Sequence, residues 1–292
     1  MTDATDTVFN PITGWDLHCH TICSDGTKTP TELVREASQS GLHGAAITDH
    51  DTSEGWDEAR AASLHYHVPL LFGTEVTAQF GKVSVHVLAY QYNRADERVS
   101  ELFERTRNAR IDRAKAMVAS LSKDFPITWD AVMEQAKRGE RTTVGRPHIA
   151  DALVAAGVYR NRSEAFAGVV SSSSPYYIPT ASPDAGDVVQ VIAAAGGVSV
   201  IAHPGDRSRN CVLLSDSQIR TLAHMGLGGL EVRHRGNDET QRRRLLELAH
   251  RYGLLVTGGS DWHGDGKPNL LGENLTDDRV VEMILEKSAK AR

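Results

Sequence analysis

Nine side chains able to hold a divalent cation recur along this chain in short clusters: His18, His20, Asp25, His50, Glu75, His86, His203, Asp261 and His263. Imidazoles and carboxylates are the usual ligands of zinc, manganese and iron, and a carboxylate can bridge two ions. Nine such groups are too many for one ion and suit two or three. Ions about 3.5–4 Å apart activate a water between them and clamp phosphoryl oxygens, so the chemistry to expect is metal-assisted hydrolysis of a phosphate ester.

The spacing matters as much as the residue types. In Asp16-Leu-His18-Cys-His20 the two histidines lie two apart, so on a strand they share a face that Cys19 does not. Asp25 follows in the turn-forming Ser24-Asp25-Gly26. The further clusters are Thr48-Asp49-His50-Asp51, Gly73-Thr74-Glu75, Val85-His86-Val87, Ala202-His203-Pro204 and Ser260-Asp261-Trp262-His263. A lone histidine in a strand is more often a satisfied core residue; here the weight rests on one or two candidates at each of six strand ends. His43, His65, His67, His224 and His250 fall within or beside helix-period segments and are set apart from the cluster.

The elements that must position these groups alternate short apolar strands with helical stretches, the pattern of βα units around a sheet or barrel. Strands are expected near Trp15–His18, Gly44–Thr48, Leu70–Thr74, Ser84–Tyr90, Val198–Ala202, Gly229–Arg233 and Leu254–Gly258. Most of the ligand clusters then lie at or just past the C-terminal ends of strands, where parallel barrels build their sites. Helices are expected from Pro30, after the N-cap Thr29, to near Gly41, and over Glu54–Tyr66, Ser215–Met225 and Glu239–Tyr252. A long charged helix over Asp96–Ser122, followed by short helical stretches, breaks the rhythm. Residues 105–183 therefore read as an inserted helical subdomain, with the barrel made by 1–104 and 184–292. At the exit of the insertion, Tyr176 and Tyr177 serve either as hinge packing or as a surface for stacking a base.

Composition narrows the class. The chain has 292 residues, 40% hydrophobic and 24% charged, as a globular protein would. Its apolar runs fall short of the roughly 20 residues of a membrane span. A net charge of −6 argues against binding long duplex nucleic acid but not against a basic cleft for a small substrate. Residues Met1–Asn10 lack the basic and apolar regions of a secretory signal, and Cys19, Cys23 and Cys211 form no even disulfide set, so a cytoplasmic protein is expected.

The ordered motifs His18-Cys-His20, Ser24-Asp25-Gly26, Ile47-Thr-Asp-His50-Asp51, Gly73-Thr-Glu75, Ala202-His203-Pro204-Gly205 and Gly259-Ser-Asp261-Trp-His263 resemble those of the PHP (polymerase and histidinol phosphatase) superfamily over about residues 14–275. The resemblance implies a distorted (β/α)7 barrel of the α/β class carrying two to three divalent ions, commonly manganese, iron or zinc. It implies that His18, His20, Glu75 and Asp261 hold one ion, that Glu75 bridges to a second taking His86 and His203, and that Asp25, His50 and His263 hold a third.

Within the insertion, Arg110-Ile-Asp-Arg113 and Gly145-Arg146-Pro-His148 resemble the subgroup that dephosphorylates nucleoside 3′,5′-bisphosphates or trims short RNA from its 5′ end. Arg146 and His148 open a helix whose free N–H groups favour an anion. Arg113, Arg207 and His234 are further candidates for a second phosphate, whereas Lys267 and Arg242-Arg-Arg244 read as solvated charges. The expected reaction is attack of a metal-bridging hydroxide on a 3′-phosphate without a phosphoenzyme, with Asp261 at the reaction centre and His203 or His263 protonating the leaving oxygen. Alternatives are a 5′–3′ exonuclease acting on short RNA or DNA, a phosphatase for a small metabolite such as histidinol phosphate, and a non-enzymatic metal- or nucleotide-binding module.

Overall fold

The computed structural model describes residues 14–136, 143–179, 181–209 and 212–290. Cys211 and the N-terminal stretch lie outside them. In chain order the elements are β1 (Trp15–Asp16), α1 (Pro30–Gln39), β2 (Gly44–Ile47), α2 (Trp56–Tyr66), β3 (Leu70–Phe80), β4 (Val83–Tyr90), α3 (Glu97–Leu121), α4 (Trp129–Ala136), α5 (Arg146–Ala155) and α6 (Arg162–Ala167). They continue with α7 (Ala185–Ala194), β5 (Val198–Ile201), α8 (Asp216–His224), β6 (Gly229–Arg233), α9 (Glu239–Tyr252), β7 (Leu255–Gly258) and α10 (Asp278–Lys290).

The seven strands form one sheet in sequence order, and its ends approach each other where the Leu17 N–H reaches Gly258 O at 3.4 Å and Cys19 bridges Trp262. The result is a nearly closed α/β barrel of the distorted (β/α)7 kind, with a helical insertion. Its helices begin as their sequences direct. Thr29 caps α1 in a reciprocal capping box with Glu32, and Pro30 occupies the first turn. Gly253 ends α9 in the left-handed region, at φ 65°.

One expectation about topology is corrected. β3 does not stop at Thr74 but runs on to Phe80, and β4 returns antiparallel to both β3 and β5. The physical reason is the two-residue connection Gly81-Lys82, with Gly81 at φ 62°. So short a link closes a hairpin, whereas a parallel pair needs a crossover of a dozen or more residues. Glu75 and His86 therefore sit inside a hairpin at the barrel mouth rather than at strand ends. β1 is also shorter than expected, and His18 and His20 follow it in irregular backbone.

α3 joins two cores. Its first turns bury Val99, Leu102 and Phe103 in the barrel core. Its second half buries Ala114, Met117, Val118 and Leu121 in a separate core with Val132, Ile149, Leu153, Ala165 and Val170. The sequence-based boundary at 104–105 thus falls within a continuous helix.

Candidate metal centre

The barrel mouth gathers all nine candidate ligands. His18 Nε2 and His20 Nε2 stand 3.1 Å apart, 3.3 and 3.0 Å from Glu75 Oε2, and 3.5 and 3.4 Å from Asp261 Oδ1. Ligands 2.0–2.1 Å from a tetrahedral ion are separated by about 3.3–3.4 Å, so these four atoms are spaced as the corners of such a cage. Glu75 Oε2 and Asp261 Oδ1 are buried without a hydrogen-bond partner, as are His50 Nδ1 and His263 Nε2. Orphaned buried acceptors are costly, and a cation bound among them would remove the cost.

Two further groups adjoin the cage. His20, Asp25 and His50 form one; His50, Glu75 and His86 form another. His50 faces both ways, with Nδ1 3.3 Å from Glu75 Oε2 and Nε2 3.9 Å from Asp25 Oδ2. His86 Nδ1 and His203 Nε2 approach Glu75 Oε1 at 2.8 and 3.0 Å, and His263 Nε2 lies 3.2 Å from Asp25 Oδ1. These groups overlap only in part with the three-way division that the resemblance implied: His20 and His50 each belong to two of them, while His203 and His263 stand beside them against Glu75 and Asp25.

Close approach and unusual backbone hold this geometry. A side chain on Gly259 would stand 2.3 Å from His18 Cβ, so only glycine lets the end of β7 pass the first ligand. His203 and Asp261 take positive φ values, 33° and 56°, which turn their side chains into the mouth at some cost in backbone strain.

The electrostatics favour a cation site. Burial opposes ionisation of Asp261 and Glu75, but neighbouring charges outweigh it, Arg209 and Lys267 for the first and histidines for the second, and both are held well below the usual carboxylate range. Burial pushes His50 and His203 well below an ordinary imidazole, and His263 to about 4, leaving lone pairs available for a metal. His20 goes the other way: the carboxylates of Asp261 and Glu75 beside it overcome burial and lift it to about 9, so an entering ion displaces a proton there.

A cavity of about 930 Å³ opens from the mouth towards the insertion. Asp25, His50, His86 and His203 are among its lining residues, as are Arg113, Arg146, Phe166 and Tyr177. Arg146 lies 5.4 Å from the ring centres of both Phe166 and Tyr177, and Arg113 lies 4.9 Å from Tyr177. His234 reaches the cluster from the end of β6, its Nε2 4.0 Å from Asp261 Oδ2.

The structure does not bring His148 or Arg207 into this cavity. His148 is buried, and its Nδ1 accepts the Gly145 N–H at 3.2 Å, capping α5; Arg207 is exposed. The two tyrosines turn different ways. Tyr176 packs on Phe125 and donates to Asp124 at 2.7 Å, whereas Tyr177 faces the cavity.

A sequence profile of the PHP domain matches residues 16–141. The 3′,5′-nucleoside bisphosphate phosphatase of Chromobacterium violaceum is 31% identical over 253 residues, 86% of this chain and 88% of the relative. The chain belongs to the PHP family. A 5′–3′ exoribonuclease of Haemophilus influenzae is 30% identical, over 89% of this chain and 94% of its own length. A solved metal-dependent phosphoesterase from Bifidobacterium adolescentis is 61% identical, superposes with a TM-score of 0.93, and covers 95% of this chain and 97% of its own. The protein is accordingly a metal-dependent phosphoesterase, a hydrolase of the PHP family.

Sequence reasoning missed several groups that complete the PHP site. Glu231 is fully buried in β6; its Oε1 lies 2.9 Å from His18 Nδ1 and its Oε2 accepts the His203 N–H at 2.7 Å. Such a carboxylate fixes the tautomer and orientation of a ligating histidine. A lone glutamate within an apolar strand was the available signal. Arg209 pairs with Asp261 Oδ2, which Lys267 Nζ also reaches at 3.0 Å. Lys267 is thus corrected from a solvated charge to a largely buried partner that leaves Oδ1 facing the cage. Arg242 and Arg244 are also engaged, donating to the carbonyls of His234 and Leu214 at 3.0 and 2.7 Å. Among the described residues no disulfide occurs, and no helix is long and apolar enough to cross a membrane.

Proposed function

We propose that this PHP enzyme removes the 3′-phosphate of nucleoside 3′,5′-bisphosphates and leaves 5′-nucleotides. The observation that carries the reading is the pair Arg113 and Arg146, which line the same cavity as Asp25, His50, His86 and His203. Both are largely buried, and among the described residues neither has a carboxylate within ion-pair distance. Burial depresses both guanidinium groups, reinforced at Arg113 by Arg146, which brings it to about 10, and at Arg146 by Arg110 and Arg209. Two desolvated cations held together call for an anion, and guanidinium is suited to bidentate phosphate recognition. A substrate with one phosphate at the cluster and a second on this pair uses both sets of lining residues.

His18, His20, Glu75 and Asp261 would hold one ion, Glu75, His50, His86 and His203 a second, and Asp25, His50 and His263 a third, with manganese, iron or zinc all compatible with the donors. Such ions supply an activated water at neutral pH and offset charge on the phosphoryl oxygens. The chain's own groups do the rest. Arg113 and Arg146 anchor the 5′-phosphate, Tyr177 offers its ring to the base, and Arg209 with Lys267 keeps Asp261 turned inward. Of the two imidazoles considered as proton donors, His203 lines the cavity and His263 does not, but as an ion ligand kept neutral by burial His203 has no proton to give, and no proton donor is assigned.

The test is phosphate release from adenosine 3′,5′-bisphosphate by manganese-loaded protein, beside 5′-AMP, histidinol phosphate and a short 5′-phosphorylated RNA. Rapid release from the bisphosphate with 5′-AMP as product is expected. A ladder of shortened RNA without bisphosphatase activity would replace this substrate by an oligonucleotide, and activity on histidinol phosphate alone by a small metabolite.

A further inference from the structure

Asp25 and His50 stand on loops that the barrel does not hold alone. Thr143, buried just ahead of α5, donates its hydroxyl to the His50 carbonyl at 2.7 Å, and its N–H reaches Cys23 O at 3.3 Å. Arg162 of α6 donates Nη1 to the Asp25 carbonyl at 3.0 Å, while Asp151 grips its Nε and Nη2 at 2.8 and 2.5 Å. A Cβ on Gly266 would stand 2.6 Å from Arg162 Nη1, so the loop after β7 keeps a space that this guanidinium fills. From α3, Arg107 donates to Asp51 O at 2.7 Å and Arg110 to Asp51 Oδ2 at 3.0 Å.

Donors from the inserted segment therefore hold the backbone at 23, 25 and 50–51, at and beside two ligands. The groups that hold the first cage come from the barrel: Glu231 on His18, the Thr48 carbonyl on Glu75 N at 3.0 Å, and Lys267 on Asp261. Asp25 and His50 belong to separate loops, and their facing atoms are already 3.9 Å apart. Metal–ligand distances tolerate only about 0.2 Å, so a slack loop would forfeit the ion.

We propose that the inserted helices are a structural part of the Asp25–His50–His263 ion site, with Arg162 and Thr143 as positioning residues, so that retention of that ion depends on the insertion being docked on the barrel. This rests on the reading of the nine groups as ion ligands. Groups that orient metal ligands from outside typically change metal affinity by about 10–100-fold when removed, and that is the size of effect expected.

The experiment titrates manganese by calorimetry into the metal-free full chain and its Asp25→Ala, Arg162→Ala and Thr143→Val variants. Retained manganese is counted after gel filtration, and circular dichroism checks folding. Asp25→Ala is expected to lose one ion. Arg162→Ala and Thr143→Val are expected to bind that same ion about 10–100-fold more weakly, keep parental affinity for the others, and regain activity in excess manganese. The near-isosteric Thr143→Val decides the matter if Arg162→Ala does not fold. Parental affinity for every ion, or equal weakening of all of them, overturns the coupling. A full complement of ions in Asp25→Ala overturns the ligand assignment itself, so the two failures are distinguishable.

Discussion

The two walls of the cavity are built on different principles. On the barrel wall, functional atoms come from the strands and the backbone just beyond them: His18 and His20 follow β1, and Glu75, within the β3–β4 hairpin, comes 3.3 and 3.0 Å from them. On the inserted wall, Arg113 and Arg146 come from different helices, and their guanidinium groups are held by the carbonyls of Ile178 and Val170 and by aromatic faces. The barrel wall is thus fixed by hydrogen-bonded backbone, the inserted wall by the packing of a second core. A change at a ligand on the first should abolish chemistry; one at Arg113 or Arg146 on the second should alter which substrate is held.

Glu75→Gln tests the first half most severely. Glu75 is approached by His18, His20, His50, His86 and His203, and its loss removes charge from two adjoining ligand groups. The several kcal/mol that bound ions lend a phosphoryl transition state correspond to a fall in kcat/KM of roughly 10³-fold or more on every substrate. Metal content should fall with it, as elemental analysis of the dialysed protein would register. Retained ions with full activity would break the comparison at its root.

Arg146→Ala tests the second half. A charge-assisted hydrogen bond is worth about 1.5–3 kcal/mol, so KM for the bisphosphate should rise by about 10–100-fold. Hydrolysis of a generic aryl phosphate, which has no second phosphate to place there, should change little. Equal effects on the two substrates would show that the inserted wall supports the chemistry rather than the selection, and would sink the bisphosphate assignment.

These two walls were also unequally legible. The motif series from His18 to His263 could be placed because strand periodicity is local: two residues apart means one face, whatever the rest of the chain does. The hairpin of β3 and β4 was missed because Gly81-Lys82 was not weighed as a turn, and with it the antiparallel direction of β4. Glu231 escaped because a buried glutamate in a strand carries no motif; only the fold brings it 2.9 Å from His18, residues 213 apart in sequence. In the insertion, Arg146 stood out through the Gly145-Arg146-Pro-His148 motif that opens a helix; past β5, Arg207 was named and Arg209 was not, because which of them turns inward depends on how that loop curls. Arg162 gave no signal, since its partners Asp25 and Asp151 come from both sides of the cavity.

Glu231→Gln asks how far the barrel wall's rigidity extends behind its ligands. The amide keeps shape and removes charge, so the fold should survive. Affinity for the ion held by His18 should weaken by about 10–100-fold, with partial recovery of activity at high manganese. If affinity does not move, His18 is oriented by its backbone alone, and the contrast with the helical wall sharpens.

The smallest effects should separate two adjacent side chains on the inserted wall. Tyr176 and Tyr177 are neighbours in sequence, yet one turns to Phe125 and Asp124 while the other lies between Arg113 and Arg146. Tyr176→Phe removes one exposed hydrogen bond and should lower stability only slightly, with KM unchanged. Tyr177→Leu removes the ring that both guanidinium groups face, an interaction of about 0.5–2 kcal/mol, so KM for the bisphosphate should rise by up to about 30-fold. Thermal unfolding and steady-state kinetics on the same two proteins would read both. Because the positions share a backbone turn, a general loosening of the exit segment would move the two variants alike. Divergence between stability and KM would instead trace the inserted wall's selectivity to the direction of a single side chain.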